Sequence, residues 1–250
     1  MADMYIGVAG VSRVVKTGYI GVAGVSRTAK AGYIGVNGVA RQFLRGGVAL
    51  KDIAEESIVK LNENGSPVEF YVAKQNYESG LNGSGRVLVV RKYVYGDQQW
   101  NNSKVNTYAT CYLDAWFNGD YKNMLDTAIR TAMGTTKFYY THGYKDDTVG
   151  TLERSVFALS GTELGQSDPE MNVEGSALPT ASILQVAYRN GTARDQCTRS
   201  PVLQSYNGSW YLNSDGKPAY SGSTFARGSR PAFTLPGTSM FDLSTMEFIE

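Results

Sequence analysis

The sequence predicts an α+β protein in which an N-terminal β-hairpin repeat precedes a larger mixed domain. Three observations lead to this prediction. A fourteen-residue unit occurs three times in succession between Tyr5 and Gly46. Beyond it, short runs of β-branched and aromatic residues alternate with turn residues such as Asn and Gly. The stretch from Leu113 to Ile129 instead has apolar residues at spacings of three and four, which indicates helix.

The repeated unit has the pattern Tyr-Ile-Gly-Val-x-Gly-Val-Ser/Ala-Arg, starts at Tyr5 and then recurs twice. In each copy two β-type runs are separated by two residues, which in the third copy are Asn37 and Gly38, a strong hairpin-turn signal. Because an isolated two-stranded hairpin is marginal in water, the copies need partners. We therefore assign residues 1–47 to a stalk for oligomerisation or attachment and expect a homo-oligomer, most simply a trimer. The alternative is a poorly ordered tail.

Residues 48–250 are assigned to one mixed domain of short strands and two helices. The Asn-Gly pair at 64–65 predicts a hairpin between residues 57–61 and 67–74. A short helical link is expected at 50–56, further strands at 86–95, 137–140, 155–159 and 226–235, and 179–188 fits either type. In the last strand, Phe233 and Leu235 are expected to face the core.

The helical stretch is predicted to form two amphipathic helices. Their apolar positions are Leu113, Trp116 and Phe117, then Tyr121, Leu125, Ala128 and Ile129. A break is expected at Asn118 and Gly119, with Asp120 as the N-cap of the second helix. That helix should end before Gly134.

Composition is that of an ordinary globular protein, with 42% hydrophobic and 19% charged residues and a net charge of +1. Through Gly46 six basic residues face one acid, which leaves −4 for the remainder. Because those basic residues are spaced singly along the repeat, nucleic-acid binding is not expected. No apolar run approaches the ~20 residues that span a bilayer, and the start has no signal-peptide pattern. We therefore expect synthesis in a bacterial cytoplasm and no membrane insertion.

Residues that could carry out chemistry are few. The single histidine, His142, lies beside a glycine, where a turn role is more common than a catalytic one. Cys111 and Cys197 are far apart in sequence, so two free thiols are expected, and a bridge between them stays open. Two acidic pairs could supply oxygen ligands to Ca²⁺, although acids in polar loops are usually solvated. They are Asp146 with Asp147, and Asp168 with Glu170. We expect no catalytic residue, no cofactor and no metal ligand.

The most distinctive stretch is residues 194–236, where two patterned pieces bracket a polar insert. The pieces are Arg-Ser-Pro at 199–201 and Arg-Gly-Ser-Arg-Pro-Ala-Phe at 227–233. Of the twenty residues at 204–223, fourteen are Tyr, Ser, Gly, Asn or Trp, which is the composition of an antibody paratope. A plain surface loop rich in Gly and Ser is the alternative.

If the bracketing pieces fix the backbone, side chains between them should face solvent. Alternation along residues 209–213 places Trp210 and Leu212 on one face, with Trp210 supporting the binding residues from beneath. The predicted ligand-binding residues are Tyr206, Asn207, Ser209, Tyr211, Asn213, Asp215 and Tyr220.

The bracketing motifs resemble those that close a family of C-type-lectin-like domains, common in prophages of gut bacteria and related to the formylglycine-generating-enzyme fold. The agreement extends to Ser-Ile-Val-Lys-Leu-Asn at 57–62, Glu-Phe-Tyr-Val at 69–72, Tyr-Leu-Asp-Ala-Trp-Phe-Asn at 112–118 and Phe-Ala-Leu-Ser-Gly-Thr-Glu-Leu-Gly at 157–165. It covers about residues 53–236. One departure is Gln-Cys-Thr at 196–198, where the family often has an aromatic-Trp-Leu run. The resemblance implies a C-type-lectin-like head whose long loop region is carried on a small sheet.

These observations lead us to expect a phage- or prophage-type receptor-binding protein located in the virion tail. Its head would display a loop surface, diversifiable by a retroelement, to a protein or glycan receptor on the host cell. Two other functions stay open. One is an enzyme of the formylglycine-generating-enzyme-like fold, an oxidase or a carbohydrate-active enzyme; metal-assisted oxidation would require Cys197 to pair with Cys111. The other is a purely structural virion protein.

Overall fold

The computed structural model describes residues 5–8, 11–14, 19–22, 25–28, 31–36, 39–103 and 105–249, with side chains from residue 46 onward. It begins with three antiparallel hairpins, each a two-stranded sheet. They pair β1 (Tyr5–Val8) with β2 (Val11–Val14), β3 (Tyr19–Val22) with β4 (Val25–Thr28), and β5 (Ala31–Val36) with β6 (Val39–Arg45). The prediction of one hairpin in each copy is confirmed. The turn residues Asn37 and Gly38 lie outside the described residues.

From residue 46 onward strands predominate and helices are short, so the predicted α+β class is confirmed. The strands are β7 (Gly47–Ala49), β8 (Ile58–Glu63), β9 (Ser66–Lys74), β10 (Arg86–Arg91), β11 (Asp97–Gln99), β12 (Thr136–Gly143), β13 (Asp146–Arg154), β14 (Ala187–Arg189), β15 (Thr192–Arg194), β16 (Gln196–Pro201), β17 (Gly208–Leu212), β18 (Pro218–Gly222), β19 (Ala226–Gly228), β20 (Ala232–Pro236) and β21 (Met240–Asp242). A four-stranded antiparallel sheet has the order β20–β10–β9–β8, and a five-stranded sheet has the order β11–β19–β16–β17–β18. β7 pairs with β21, so the two ends of this part of the chain meet.

The four-stranded sheet carries the main hydrophobic core. Residues 87–90 of β10 are all buried, because both faces of this strand are covered. β8 and β9 form the predicted hairpin, in which Asn64 and Gly65 have φ of 49° and 74°, as a type I′ turn requires. β20 pairs with β10, and Phe233 and Leu235 are fully buried, as predicted.

The helices are short and most of them lie in one stretch. They are α1 (Ser79–Asn82), α2 (Tyr112–Trp116), α3 (Lys122–Met124), α4 (Thr127–Met133) and α5 (Ala181–Leu184), with a π-helical turn (Phe117–Tyr121) between α2 and α3 and 3₁₀ turns at Leu50–Asp52 and Tyr108–Thr110. The chain therefore stays helical through Asn118 and Gly119, and the predicted break there is wrong. The amide of Asn118 does not end the helix: its Nδ2 donates to the carbonyls of Asp114, one turn earlier, and of Val156, and its Oδ1 accepts from Ser155 N.

The break lies further on. Leu125 leaves the helix with ψ of 143°, and Asp126 takes the N-cap position of α4, so the assignment of Asp120 as N-cap is wrong. Gly134 follows α4 with φ of 59°, and the predicted end of this helix is confirmed.

Three other predicted elements differ from the structure. The link at 50–56 contains only the 3₁₀ turn at Leu50–Asp52. Residues 155–159 are not a strand: they are buried, and Phe157 makes an isolated bridge to β20. The single strand predicted at 226–235 is split into β19 and β20, since Pro231 between them has no N–H to continue a ladder.

A buried ion pair joins Arg199 of β16 to Glu163. Arg199 Nη1 donates to Glu163 Oε2 at 2.6 Å, and the two side chains are 0% and 1% exposed. The guanidinium also donates to the carbonyls of Ala158 at 2.9 Å and Tyr139 at 2.8 Å. The Tyr77 hydroxyl donates to the other carboxylate oxygen at 2.5 Å. The arginine of the Arg-Ser-Pro motif thus connects β16, β12 and two further segments.

The arginine of the second motif is also internal. Arg230 is 4% exposed and donates to the carbonyls of Arg91, Lys92 and Leu184. Burial lowers the pKa of Arg230 to about 10. Gln196 accepts from Arg230 Nη1 at 3.3 Å, so this arginine also reaches β16. The buried arginines of the two motifs therefore fix the backbone at both ends of the insert, and we call this fixed backbone the frame.

We expect Arg199→Met to lower the free energy of unfolding by about 3–5 kcal/mol, because it leaves the Glu163 carboxylate buried without its charge partner. Urea unfolding of the full chain measures this. The control is Arg194→Met, which removes a pair with Asp97 at 2.9 Å whose side chains are 43% and 38% exposed. Such a pair contributes at most about 1 kcal/mol. Equal effects of the two substitutions would contradict this account of the frame.

Candidate functional site

The insert between the two motifs forms a hairpin of β17 and β18 at one edge of the five-stranded sheet. Trp210 pairs with Tyr220, and Tyr211 pairs with Ala219. Directly opposed residues point to the same face of a sheet, and neighbours along a strand point to opposite faces. Tyr220 therefore shares a face with Trp210, and Tyr211 lies on the other face.

On the first face Tyr220 is 60% exposed and stands edge-on to Trp210, with ring centroids 5.3 Å apart. Trp210 is 3% exposed and packs with Met171 and Val202. Its Nε1 donates to the Glu170 carbonyl at 3.3 Å. The prediction that Trp210 lies beneath the surface is confirmed.

The loop before β17 carries Tyr206, which is 54% exposed and lies beside Tyr144 with ring centroids 6.3 Å apart. Asn106, which is buried, fixes the backbone of this loop. Its Nδ2 donates to the carbonyls of Val202 at 3.0 Å and Ser205 at 2.6 Å. Its Oδ1 accepts from the Tyr144 N–H at 2.8 Å. One buried amide thus holds both segments whose tyrosines are exposed.

Phe225 lies beside this surface, and the Arg227 guanidinium carbon is 5.9 Å from its ring centroid. Its ring is 60% exposed and lies against Gly222, where a Cβ would be 3.5 Å from the ring. Asn207 is half-buried beside the same glycine, and its carbonyl accepts from Ser223 N at 2.6 Å. We call the set of Tyr144, Tyr206, Asn207, Tyr220 and Phe225 the aromatic surface.

The predicted ligand-binding residues do not form one group. Tyr206, Asn207 and Tyr220 belong to the aromatic surface. Ser209 is 5% exposed, so its expected exposure is wrong. It lies between β16 and β18, opposite Pro201 and Ser221, on a face that neighbouring segments cover.

The remaining predicted residues lie toward the other face or in the turn. Tyr211 is half-buried beneath Arg227, whose guanidinium carbon is 4.4 Å from the ring centroid. Asn213 is occupied within the turn, because its Oδ1 accepts from the N–H groups of Asp215 and Lys217 at 3.0 Å each. Asp215 is exposed in that turn.

A polar cleft of about 300 Å³ lies beside Arg227. Its lining includes two ion pairs, Arg227 with Asp195 at 3.2 Å and Arg194 with Asp97 at 2.9 Å. Every charge in these pairs already has a partner of opposite sign, so the cleft has no excess charge for a ligand to neutralise.

The residues considered for chemistry do not come together in one site. Cys111 and Cys197 are free and buried, and burial raises the pKa of Cys197 to about 12. The predicted turn role of His142 is wrong: it lies within β12, one residue before the end of that strand, and its Nδ1 lies 2.9 Å from Asp146 Oδ2. Asp168 Oδ1 accepts from Glu170 N at 2.9 Å in a local turn. Within residues 46–103 and 105–249, no group of three His, Cys, Asp or Glu side chains is placed to hold a metal ion.

Sequence reasoning missed Tyr144, Phe225 and Asn106. Tyr144 and Asn106 are distant in sequence from the insert, so no local pattern connects them with it. Phe225 lies two residues after the stretch 204–223, whose composition resembles a paratope, and this nearness could have pointed to it.

Comparison with known proteins gives a family. The chain belongs to the DUF6273 family, a domain of unknown function, whose model matches residues 84–237, more than half of the chain. The match runs from just before β10 to just after β20 and includes the hairpin and both motifs. No curated protein and no solved structure shows significant similarity to the chain. In the described part of the chain, no helix has the length and apolar character needed to cross a membrane.

We expect Tyr206→Ala and Tyr220→Ala each to change the free energy of unfolding by less than about 1 kcal/mol, because both side chains are more than half exposed. Trp210→Ala, on the same hairpin face as Tyr220, should cost about 3–5 kcal/mol, since it empties a buried site. Urea unfolding of the three variants makes the comparison. Unfolding of either tyrosine variant under native conditions would mean that these rings belong to the core.

Proposed function

We propose that the chain is a receptor-binding protein of the phage-tail type and that its aromatic surface binds a ligand on the host cell. The observation that carries this proposal is the exposure of Tyr206, Tyr220 and Phe225 at 54%, 60% and 60% on a backbone that buried groups hold in place. Exposed aromatic side chains that cluster usually mark a contact surface. In this proposal the head acts by binding and not by catalysis.

The chemistry of the surface supports binding. Tyrosine gives a large contact area with few torsions to restrict, and asparagine and serine give adaptable hydrogen bonds. Tyr144 and Tyr206 contact each other across two loops, so the surface draws on more than one segment. Such a surface suits a ligand that presents both apolar and hydrogen-bonding groups.

The buried residues that hold the backbone around the insert support the proposal that a retroelement diversifies the exposed side chains. Arg199 and Arg230 are buried and bonded to main-chain carbonyls, and Asn106 holds the loop that carries Tyr206. Substitution at the exposed positions would leave those bonds intact. A retroelement could therefore vary the exposed residues while the backbone stays the same, as in the C-type-lectin-like domains that the motifs resemble.

The C-type-lectin-like fold of residues 48–250 is part of the proposal. Its support is a small antiparallel sheet with a long region of loops and short hairpins outside it, and the pairing of β7 with β21 that brings the ends of this part together. The repeat at 1–47 would form a trimeric stalk in the virion tail. Several heads on one stalk would raise the apparent affinity for a cell surface that carries many copies of the ligand.

Binding of the labelled full chain to a glycan array and to a panel of gut bacterial cells tests the proposal. The test variant is Tyr206→Ala/Tyr220→Ala. The control is Tyr93→Ala/Tyr188→Ala, which removes two tyrosines that are 39% and 44% exposed but lie outside the aromatic surface. We expect the test variant to bind at least about tenfold more weakly than the parent, since hot spots at tyrosine commonly contribute more than 1 kcal/mol each.

The control variant should bind like the parent. Equal binding by the test variant and the parent to every glycan and cell that the parent recognises would contradict the proposal, as would loss of binding in the control alone.

A further inference from the structure

Among the residues that the structure describes, no strand pairs with the outer edge of β18, which is an edge of the five-stranded sheet. Two hydrogen bonds at the ends of the β17–β18 ladder show which residues of β18 turn their main-chain N–H and C=O groups toward β17. They are Asn213 N to Lys217 O at 2.9 Å and Ser223 N to Asn207 O at 2.6 Å. Because bonded pairs recur every second residue in an antiparallel ladder, the main-chain groups of residues 219 and 221 face β17. Those of Pro218, Tyr220 and Gly222 point outward.

Most of the main-chain groups of β18 that point outward are free, among the described residues, to bond to a further strand. Tyr220 presents both its N–H and its C=O, and within the described residues neither group has a partner. Pro218 presents a C=O, and Gly222 presents an N–H, while the Gly222 C=O accepts from Phe225 N at 3.0 Å. The edge therefore offers two donors and two acceptors in line beside the aromatic surface.

Three other strand edges are covered or charged. On β8, Lys60 bonds to Met246 and Phe248, and on β20, Ala232 bonds to Phe157. β13 also has a single neighbouring strand, but it carries the charged residues Asp146, Asp147, Glu153 and Arg154. Charged residues on an edge discourage pairing with another strand. β18, with the sequence PAYSG, has no charged residue.

We infer that β18 is a docking strand, and that the ligand contributes an extended peptide segment which pairs with it as a sixth strand of the sheet. This inference rests on the proposed function and specifies the chemical class of the ligand as protein. A peptide backbone repeats one N–H and one C=O on each edge every two residues, which matches the outward groups of 218, 220 and 222. The side chains of the added strand would alternate between the face of Tyr220 and Trp210 and the face of Tyr211.

A glycan fits this edge less well. Sugar hydroxyls can bond to a single N–H or C=O, but they have no fixed repeat that matches the strand. A glycan ligand would instead depend on the side chains of the aromatic surface and not on the main chain of β18. Removing one main-chain donor of β18 can therefore distinguish a peptide ligand from a glycan ligand.

The substitution Tyr220→Pro removes the outward N–H, and Tyr220→Ala removes the same ring but keeps the N–H. Proline is tolerated on an edge strand when its missing N–H faces away from the sheet. The probe is a displayed library of random linear peptides selected on the full chain. We expect the selected peptides to bind Tyr220→Pro about tenfold more weakly than Tyr220→Ala, which corresponds to the loss of one hydrogen bond.

A second measurement does not depend on whether Tyr220→Pro folds. N-methylation at each position of a selected peptide should weaken binding to the unchanged protein at every second residue, because only alternate N–H groups of an added strand face β18. Equal binding to the proline and alanine variants together with no alternation in the N-methyl scan would overturn the inference, as would failure to select any peptide. If glycans or cells bind both variants equally and need the Tyr206 ring, the docking strand is wrong while the proposed function stands.

Discussion

The buried pairing of Arg199 with Glu163 is the interaction on which the rest of this structure depends. Two charges that are removed from water stabilise a fold best when their remaining hydrogen-bonding groups are also occupied. Here the carboxylate accepts from Arg199, Tyr77 and the Ser160 N–H. The guanidinium donates to two carbonyls through Nε and Nη1 and lies 4.7 Å from the Phe138 ring centroid, while its Nη2 has no hydrogen-bond partner among the described residues. These partners come from separate parts of the chain, so the pair fixes the position of β16 relative to the rest of the core.

The insert starts directly after this fixed strand. Ser200, the next residue, donates to the buried carboxylate of Glu174 and accepts from Gly161 N at 3.0 Å. From Pro201 the chain enters the loop held by Asn106, and it returns to the core at Arg230. The chain therefore separates two roles. Buried polar groups set the path of the backbone, and exposed side chains set the chemistry of the surface.

The sequence predicted those parts of the fold that depend on the backbone preferences of neighbouring residues. Asn64 and Gly65 favour positive φ on their own, so their hairpin could be read from the sequence, as could the end of α4 at Gly134. Ser209 was misjudged because alternation identifies two faces but does not show whether neighbouring segments cover both. Asn118 was misread as a helix break because its amide also bonds to backbone groups of a distant segment.

The same limit applies to the candidate site. Tyr206 and Tyr220 could be identified as exposed residues from the polar, tyrosine-rich composition of the insert. Tyr144 could not, because it joins Tyr206 only through the tertiary position of Asn106. Arg199 and Arg230, the arginines of the two motifs, stand out in the sequence but lie inside the protein. These motifs therefore identify residues that hold the backbone and do not identify residues exposed to a ligand.

The central claim is that a fixed frame carries a surface whose side chains can change freely, and the folded fraction of two displayed libraries tests it most directly. One library randomises the four exposed aromatic positions of the aromatic surface. The other randomises four covered positions, Asn106, Ser209, Trp210 and Leu212. Protease resistance of each displayed variant measures folding. This account predicts that most members of the first library stay folded and that few members of the second do. Similar folded fractions in the two libraries would contradict it.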